Sequence, residues 1–181
     1  MSFSISNSGF SNVLLVKSDI FRDDRGLFSE LYREHEIQSF LGVKFVQDNY
    51  SLSRQGVVRG LHYQTDPHGQ GKFLRVLSGR IFDVVVDIRP YSPTFKQWFS
   101  WELNDTSGEA LYIPEGFAHG FCALSPEAVV YYKVTNYFSA SSSRCILWND
   151  PSLNINWPDA KAKKIVSEQD SKGSLLTVLN I

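Results

Sequence analysis

His62 and His119 are the residues through which this chain is best equipped for chemistry. His62 sits in Gly60-Leu61-His62-Tyr63-Gln64, and His119 closes the run Ile113-Pro114-Glu115-Gly116-Phe117-Ala118-His119. An imidazole titrates at about pH 6.5, so it can take up or release a proton under ordinary conditions, or bind a metal through a neutral nitrogen. Alternate side chains of a strand share a face, which places His62 and Gln64 together. Glutamine is a poor ligand for a transition metal, and two histidines fall short of a typical three- or four-ligand site. The pattern therefore points away from a metal centre and towards proton transfer or hydrogen bonding. Pro114 and Gly116 shape a turn, after which a strand can present His119 to a barrel interior.

Such groups need a rigid scaffold, and the surrounding pattern is mainly strand. Val13 to Val16 is a short apolar run. Phe21 to Gly26 supplies a polar turn before Leu27 to Tyr32. Lys72 to Ile88 predicts a hairpin that turns at Ser78-Gly79, because apolar residues crowd both arms. Gln97 to Leu103 and Ala110 to Ile113 read as further strands. Ala128 to Phe138 reads as one long strand. Its alternation puts Val130, Tyr132, Val134, Asn136 and Phe138 on one face, with Tyr131, Lys133, Thr135 and Tyr137 on the other. Two helices are expected. Arg33 to Leu41 carries Ile37, Phe40 and Leu41 on one side with Gly42 as a stop, and a second follows Trp157-Pro158 over Asp159 to Glu168. Many strands punctuated by Gly and Pro, with little helix, indicate a barrel or a jelly roll.

Composition narrows the function classes. The chain of 181 residues suits a single domain spanning 1–181. A net charge of -1 offers no electrostatic footprint for a nucleic acid polymer. A small anionic ligand needs only a few local Arg and Lys. Aromatic residues make up 14% of the chain, which suits both β-structure and stacking on a planar ligand and does not separate them. Cys122 and Cys145 form no Cys-x-x-Cys and are expected as buried thiols of a cytosolic protein. No basic segment followed by an apolar run opens the chain, and no apolar stretch approaches the roughly 20 residues of a membrane helix. The expectation is a cytoplasmic protein with no membrane partner.

The spacing Gly108-x5-Pro114-x-Gly116-x2-His119 matches the second conserved motif of the cupin superfamily. Where a metal-binding cupin carries His-x-His and then Glu, this chain has His62-Tyr63-Gln64. Further segments extend the match in order: Phe21 to Glu30, Gln47-Asp48-Asn49-Tyr50-Ser51, Val57 to Gln64, Phe82 to Arg89, Ser92-Pro93-Thr94-Phe95, Ile113 to Phe121, and Trp148-Asn149-Asp150-Pro151. From about Val13 to Asp170 the chain resembles the dTDP-4-dehydrorhamnose 3,5-epimerases. The resemblance implies an all-β, cupin-type jelly-roll β-barrel with short peripheral helices. It also implies an isomerase that acts on a nucleotide-linked 4-keto-6-deoxy sugar, without metal or other cofactor. Members of the family are homodimers that exchange N-terminal strands.

Epimerising a carbon beside a ketone needs a base on one side, an acid on the other, and a partner for the enolate charge. The resemblance assigns these roles to His62 as base, oriented by Asp170, to Tyr132 as acid, and to Lys72 beside the enolate oxygen. A phenol keeps its proton at neutral pH and can deliver it in an apolar pocket. By the same carry-over Arg25, Arg59 and His119 meet sugar or phosphate oxygens, while Glu30, Gln47, Asp48 and Asn49 line the sugar or nucleotide pocket. Phe138 stands where the family usually has a Tyr stacked on the thymine ring. Arg25 and Glu30 can serve the neighbouring subunit's site.

Three positions depart from the family pattern. Phe138 replaces Tyr, Ser143 stands where many members have Glu, and Gln169 stands where a Lys usually precedes the C-terminal Asp. The last two remove charges from the nucleotide region. Three other readings accompany the leading one: a C3-only epimerase, a metal-dependent cupin oxygenase or isomerase, and a non-catalytic sugar-binding cupin. Gln64 opposes the second, and the joint presence of base, acid and enolate partner opposes the third.

Overall fold

The computed structural model of the protein describes residues 2–158 and 164–178. Thirteen strands run in chain order among these residues: β1 (Phe3–Asn7), β2 (Leu14–Ser18), β3 (Ile20–Asp23), β4 (Gly26–Ser29), β5 (Gln47–Arg54), β6 (Val58–Gln64), β7 (Lys72–Ser78), β8 (Arg80–Asp87), β9 (Trp98–Asn104), β10 (Glu109–Ile113), β11 (Phe117–Ala123), β12 (Glu127–Val134) and β13 (Ser143–Cys145). Two short α-helices accompany them, α1 (Glu34–Leu41) and α2 (Glu168–Ser171). One sheet has the order β1-β2-β10-β7-β12-β5, and a second has the order β13-β6-β11-β8-β9. β3 and β4 form a separate hairpin. The two large sheets face each other as a cupin-type jelly roll.

Strand alternation sends two sets of apolar side chains to two places. Leu74, Val76 and Val130 of the first sheet meet Ile81, Val85, Phe117 and Phe121 of the second in the interior. Outside the second sheet, Val58, Leu61, Val84 and Val86 pack against Leu153, Trp157 and Leu176 of the C-terminal segment. Outside the first, Val16, Phe73 and Tyr112 pack against Ile37 of α1 and against Tyr32 and Phe45. Central strands covered on both faces lose much of the polar half of their alternation, which is why apolar residues crowd the run from Lys72 to Ile88.

That double burial corrects the expected Lys72–Ile88 hairpin. β7 pairs with β10 and β12, whereas β8 pairs with β11 and β9. Each strand already has two neighbours, so the turn at Ser78-Gly79 carries the chain from one sheet to the other. Gly79 has φ +80, and a Cβ there would lie 2.2 Å from the Glu127 carbonyl oxygen. The long strand expected over Ala128–Phe138 stops at Val134, so Asn136 and Phe138 lie beyond it. The first helix begins at Glu34 and ends at Gly42, whose φ of 69 is the left-handed stop that glycine favours. Phe40, placed on its apolar side by spacing, faces solvent. Part of the second expected helix, residues 159–163, lies outside the described residues. Its remainder is mostly extended: Ile165 bridges Val57 in parallel, and the helix starts only at Glu168.

The most consequential irregularity is in β6. His119 stands opposite His62 and Phe121 opposite Arg59. Three residue steps on β6 thus match two on β11, which is a β-bulge at Gly60-Leu61. Gly60 permits it. Its φ is +121, and a Cβ would come 2.6 Å from Gly120 Cα and 2.7 Å from the His119 carbonyl oxygen. Backbone strain and overpacking together should make Gly60→Ala cost about 2–4 kcal/mol. Gly42→Ala, where φ is 69 but nothing lies within 4 Å, should cost about 1 kcal/mol. Urea denaturation of both variants checks the difference, and equal midpoints would remove the close-approach argument.

Candidate active site

The interior opens into a cavity of about 440 Å³. β6 contributes Arg59, His62 and Gln64, β7 contributes Lys72 and Leu74, β11 contributes His119 and Phe121, and β12 contributes Val130 and Tyr132. Ser51, Phe138, Ser143, Ser167, Gln169 and Asp170 complete much of the wall. Simple alternation would send Arg59 and His62 to opposite faces. The bulge at Gly60 turns both inward.

His62 Nε2 lies 2.6 Å from Asp170 Oδ1. The ring stays 41% exposed to the cavity while the carboxylate is only 6% exposed. The Gly60 N–H donates to Asp170 Oδ2 at 3.1 Å, and the Cys145 thiol lies 3.8 Å from Oδ1. Burial pushes the Asp170 carboxyl up, but the bond from His62 and the donors at Gly60 and Ser167 outweigh it, and the group is held below its ordinary value. Asp170 sits on α2, whose N-cap Ser167 accepts the Asp170 N–H at 3.0 Å.

Lys72 Nζ donates to the His62 carbonyl at 3.0 Å. Burial pulls its ammonium down to about 8 against the opposing charge of Asp83. Asp83 is fully buried and its Oδ2 lies 2.8 Å from His119 Nε2, while Oδ1 has no hydrogen-bond partner among the described residues. Burial lowers His119 too, with Asp83 opposing it. Tyr132 is raised by burial against the pull of Arg59, so its phenol keeps its proton. Arg59 is aimed by Ser53 Oγ at 3.0 Å and the Leu52 carbonyl at 3.2 Å.

The structure thus gathers His62, Asp170, Lys72, Tyr132, Arg59, His119 and Phe138 around one cavity. Phe138 arrives from the loop after β12, not by strand parity. Gln47 anchors it at one remove: its Oε1 accepts the Phe138 N–H at 3.0 Å, and its Nε2 donates to Asn49 Oδ1 at 2.9 Å. Gln47 and Asn49 occupy the inward-facing parity of β5 but do not line the cavity. Asp48 needs correction. It lies on the opposite face of β5 and pairs with Lys133, whose ammonium also sits 4.4 Å from the Tyr32 ring. Arg25 and Glu30 do not reach the cavity of their own chain either. Arg25 pairs with Asp23 at the exposed tip of the β3–β4 hairpin, and Glu30 pairs with Arg33.

Residue types alone did not single out Asp83 and Cys145. A carboxylate amid Ile81-Phe82-Asp83-Val84-Val85-Val86 was a visible signal, since a charge in a buried strand requires a partner. Cys145 stands opposite His62 across the β13–β6 pairing, which no sequence pattern reveals.

A jelly-roll barrel that holds an imidazole–carboxylate pair, a protonated phenol and a buried ammonium around one cavity is the apparatus of an acid–base isomerase. The family model described as dTDP-4-dehydrorhamnose 3,5-epimerase matches residues 7–177. The chain belongs to that family. It is 44% identical over 174 residues to the dTDP-4-dehydrorhamnose 3,5-epimerase of Salmonella typhimurium, covering 95% of this chain and 94% of the relative. Its fold superposes with TM-score 0.93 on a Legionella pneumophila dTDP-6-deoxy-D-glucose-3,5-epimerase solved with dTDP-4-keto-L-rhamnose, at 40% identity over 99% of this chain and 95% of that one. A 3'-monoepimerase from Streptomyces bikiniensis, solved with dTDP-quinovose, gives TM-score 0.85 at 29% identity over 91% of this chain and 84% of that one.

The depressed ammonium of Lys72 has a consequence for stability. Between pH 8 and 10.5 the unfolded chain binds a proton at Lys72 that the folded chain does not, so this group makes stability rise with pH across that window. Below pH 8 the folded state carries the full cost, on the order of 3 kcal/mol. Lys72→Met should therefore raise stability at pH 7 by on the order of 2 kcal/mol, allowing for the carbonyl bond it loses. The gain should shrink towards pH 10.5. Thermal melts across that range test this, and a destabilised variant at pH 7 would count against it.

Proposed function

We propose that the protein epimerises C3 and C5 of dTDP-4-dehydro-6-deoxy-D-glucose, giving dTDP-4-dehydro-L-rhamnose, and that the cavity around His62 and Tyr132 is where this happens. The observation that carries the reading is the convergence of the His62–Asp170 pair, the Tyr132 phenol and the Lys72 ammonium on one cavity.

The C4 ketone acidifies the hydrogens on C3 and C5. His62 removes one as its ring, held by Asp170, takes up the proton. Electron density then moves to the ketone oxygen, and the Lys72 ammonium faces that developing oxyanion where water is excluded, an effect worth roughly 3–4 kcal/mol. Tyr132 returns a proton to the carbon from the other side and is reprotonated from solvent. Arg59 and His119 bind sugar or phosphate oxygens, and Phe138 stacks on the planar base. Among the family members described above, higher identity to the 3,5-epimerases than to the monoepimerase favours reaction at both carbons.

Proton NMR in heavy water should show deuterium entering C3 and C5 of the substrate. His62→Ala should abolish the exchange. Tyr132→Phe should slow turnover about 100- to 10,000-fold while some exchange survives, because the base still acts. Full activity in His62→Ala would remove the base from this scheme.

The working unit in this reading is a single-domain chain paired as a homodimer in the cytoplasm. Tyr50 is 76% exposed and Leu52 50% exposed on the outer face of β5, and Phe21, Leu27 and Phe28 are exposed on the β3–β4 hairpin. Such apolar surface suits a covered interface. Among the described residues no helix is long and apolar enough to cross a membrane, and Cys122 and Cys145 form no disulfide. Arg25, at the tip of that hairpin, would reach the partner's cavity. Sedimentation equilibrium should give twice the chain mass, and Arg25→Ala should lower kcat/KM about 10- to 100-fold, the loss of a charge-assisted hydrogen bond. A monomer at micromolar concentration with full activity would defeat this arrangement.

A further inference from the structure

Cys145 has no part in the proton transfers described above, yet it stands beside the residue that starts them. β13 pairs with β6 so that Cys145 lies directly opposite His62. Its thiol lies 3.4 Å from the Ile146 carbonyl oxygen and 3.8 Å from Asp170 Oδ1. His62 Nε2 approaches the same Oδ1 at 2.6 Å from its own side. Nε2, Sγ and a carboxylate oxygen thus all lie within 4.8 Å of one another. Among the described residues this is the one such group of three.

We propose that His62, Cys145 and Asp170 form an inhibitory site for a borderline-soft divalent cation, with Zn²⁺ as the fitting ion. One nitrogen, one sulfur and one oxygen are the donors zinc accepts, at about 2.0–2.3 Å each. Ligand atoms of a tetrahedral site then sit about 3.3–3.8 Å apart. Sγ and Oδ1 are already at that spacing, Nε2 and Oδ1 must part by about 0.7–1.2 Å, and Nε2 and Sγ, which lie within 4.8 Å, must settle to the same range. Asp170 is pre-oriented for this, since Gly60 holds Oδ2 and leaves Oδ1 aimed at the other two ligands. The fourth position opens to the cavity, where water completes the shell. This set is distinct from the His62, Gln64 and His119 positions at which a metal-binding cupin would hold its ion.

Binding exchanges protons for the metal. The Cys145 thiol proton passes to solvent, the proton that His62 Nε2 shares with Asp170 moves to Nδ1 of the same ring, and Zn²⁺ takes their place. No oxidant or reductant is involved. The bound ion occupies the Nε2 lone pair and keeps the ring's one proton on Nδ1, so His62 can no longer accept a hydrogen from the substrate. Inhibition in this sense rests on the reading of His62 as base, whereas the metal site itself does not.

Equilibrium dialysis of the full chain against Zn²⁺ should give one tightly held ion per chain. Cys145→Ser and Cys145→Ala should each weaken that binding by more than about 100-fold, beyond the roughly 10- to 100-fold that losing an outer-shell partner costs. Co²⁺ offers a signature that a merely structural cysteine cannot supply: a thiolate-to-cobalt charge-transfer band in the wild type, absent from both variants. Zn²⁺ should stop isotope exchange in the wild type, EDTA should restore it, and whatever activity the Cys145 variants retain should resist the ion. Unchanged Zn²⁺ affinity in both variants, or a cobalt spectrum without the thiolate band, overturns the site. Zinc held by the wild type and lost from both variants, with exchange undiminished, upholds the site and overturns instead the assignment of His62 as base.

Discussion

The structure depends most on the carboxylate of Asp170. It lies 108 residues from His62 in sequence, yet it joins the His62 ring, the Gly60 amide and the neighbourhood of the Cys145 thiol at one buried point. An ionised carboxylate taken out of water is stable only where donors replace its hydration. The rest of the C-terminal segment exists, in physical terms, to deliver it there. Ile165 bridges Val57, Ser167 caps the short helix, and Leu153, Trp157 and Leu176 bury apolar surface against the back of the second sheet. That burial offsets the entropy of fixing a long connection. The segment therefore belongs to the site as much as the barrel does.

The cavity is also an electrostatic device that acts against stability. Lys72 and His119 share one buried acid, Asp83, and burial draws both cations' pKa values down. The same burial drives Tyr132 up, so the phenol remains a donor. In the proposed reaction the site holds a developing oxyanion, which needs donors fixed before the charge appears, in a region where water cannot screen them. The depressed ammonium of Lys72 is the cost of that arrangement, and the well-packed cores on both sides of each sheet sustain it.

Much of this was legible in residue types and spacing, for reasons that differ from residue to residue. His62, His119, Lys72 and Tyr132 sit in strands whose parity is regular enough near each of them to be read directly. Helix α1 was legible because Gly42 ends it. The crossing at Gly79 was not, because a strand buried on both faces looks the same in a hairpin and in two different sheets. Arg59 and His62 share a face only through the bulge at Gly60, which depends on the approach of Gly120 from another strand. Asp48 belongs to a run with polar residues on both faces, so its partner Lys133 decides its direction. Cys145 acquires meaning only once β13 is laid beside β6.

The outer face of β5 is left uncovered. α1 covers the first sheet elsewhere, and the C-terminal segment covers the second, but Tyr50 and Leu52 face solvent. Asn49 and Ser51 alternate with them along the same strand and point inward, where Ser51 meets the cavity and Asn49 steadies the side chain of Gln47, which holds Phe138. Arg59 is aimed partly by the Leu52 carbonyl and the Ser53 hydroxyl of this same strand. One layer of backbone therefore separates the uncovered surface from the cavity that Ser51, Arg59 and Phe138 line. A body that covered Tyr50 and Leu52 would restrict β5, and with it the geometry of Arg59 and Phe138. Edge strands left open in this way are a liability unless something pairs with or shields them. Here the strand that needs shielding is also the one that holds Arg59 and Phe138 in place, so a single contact would answer both demands.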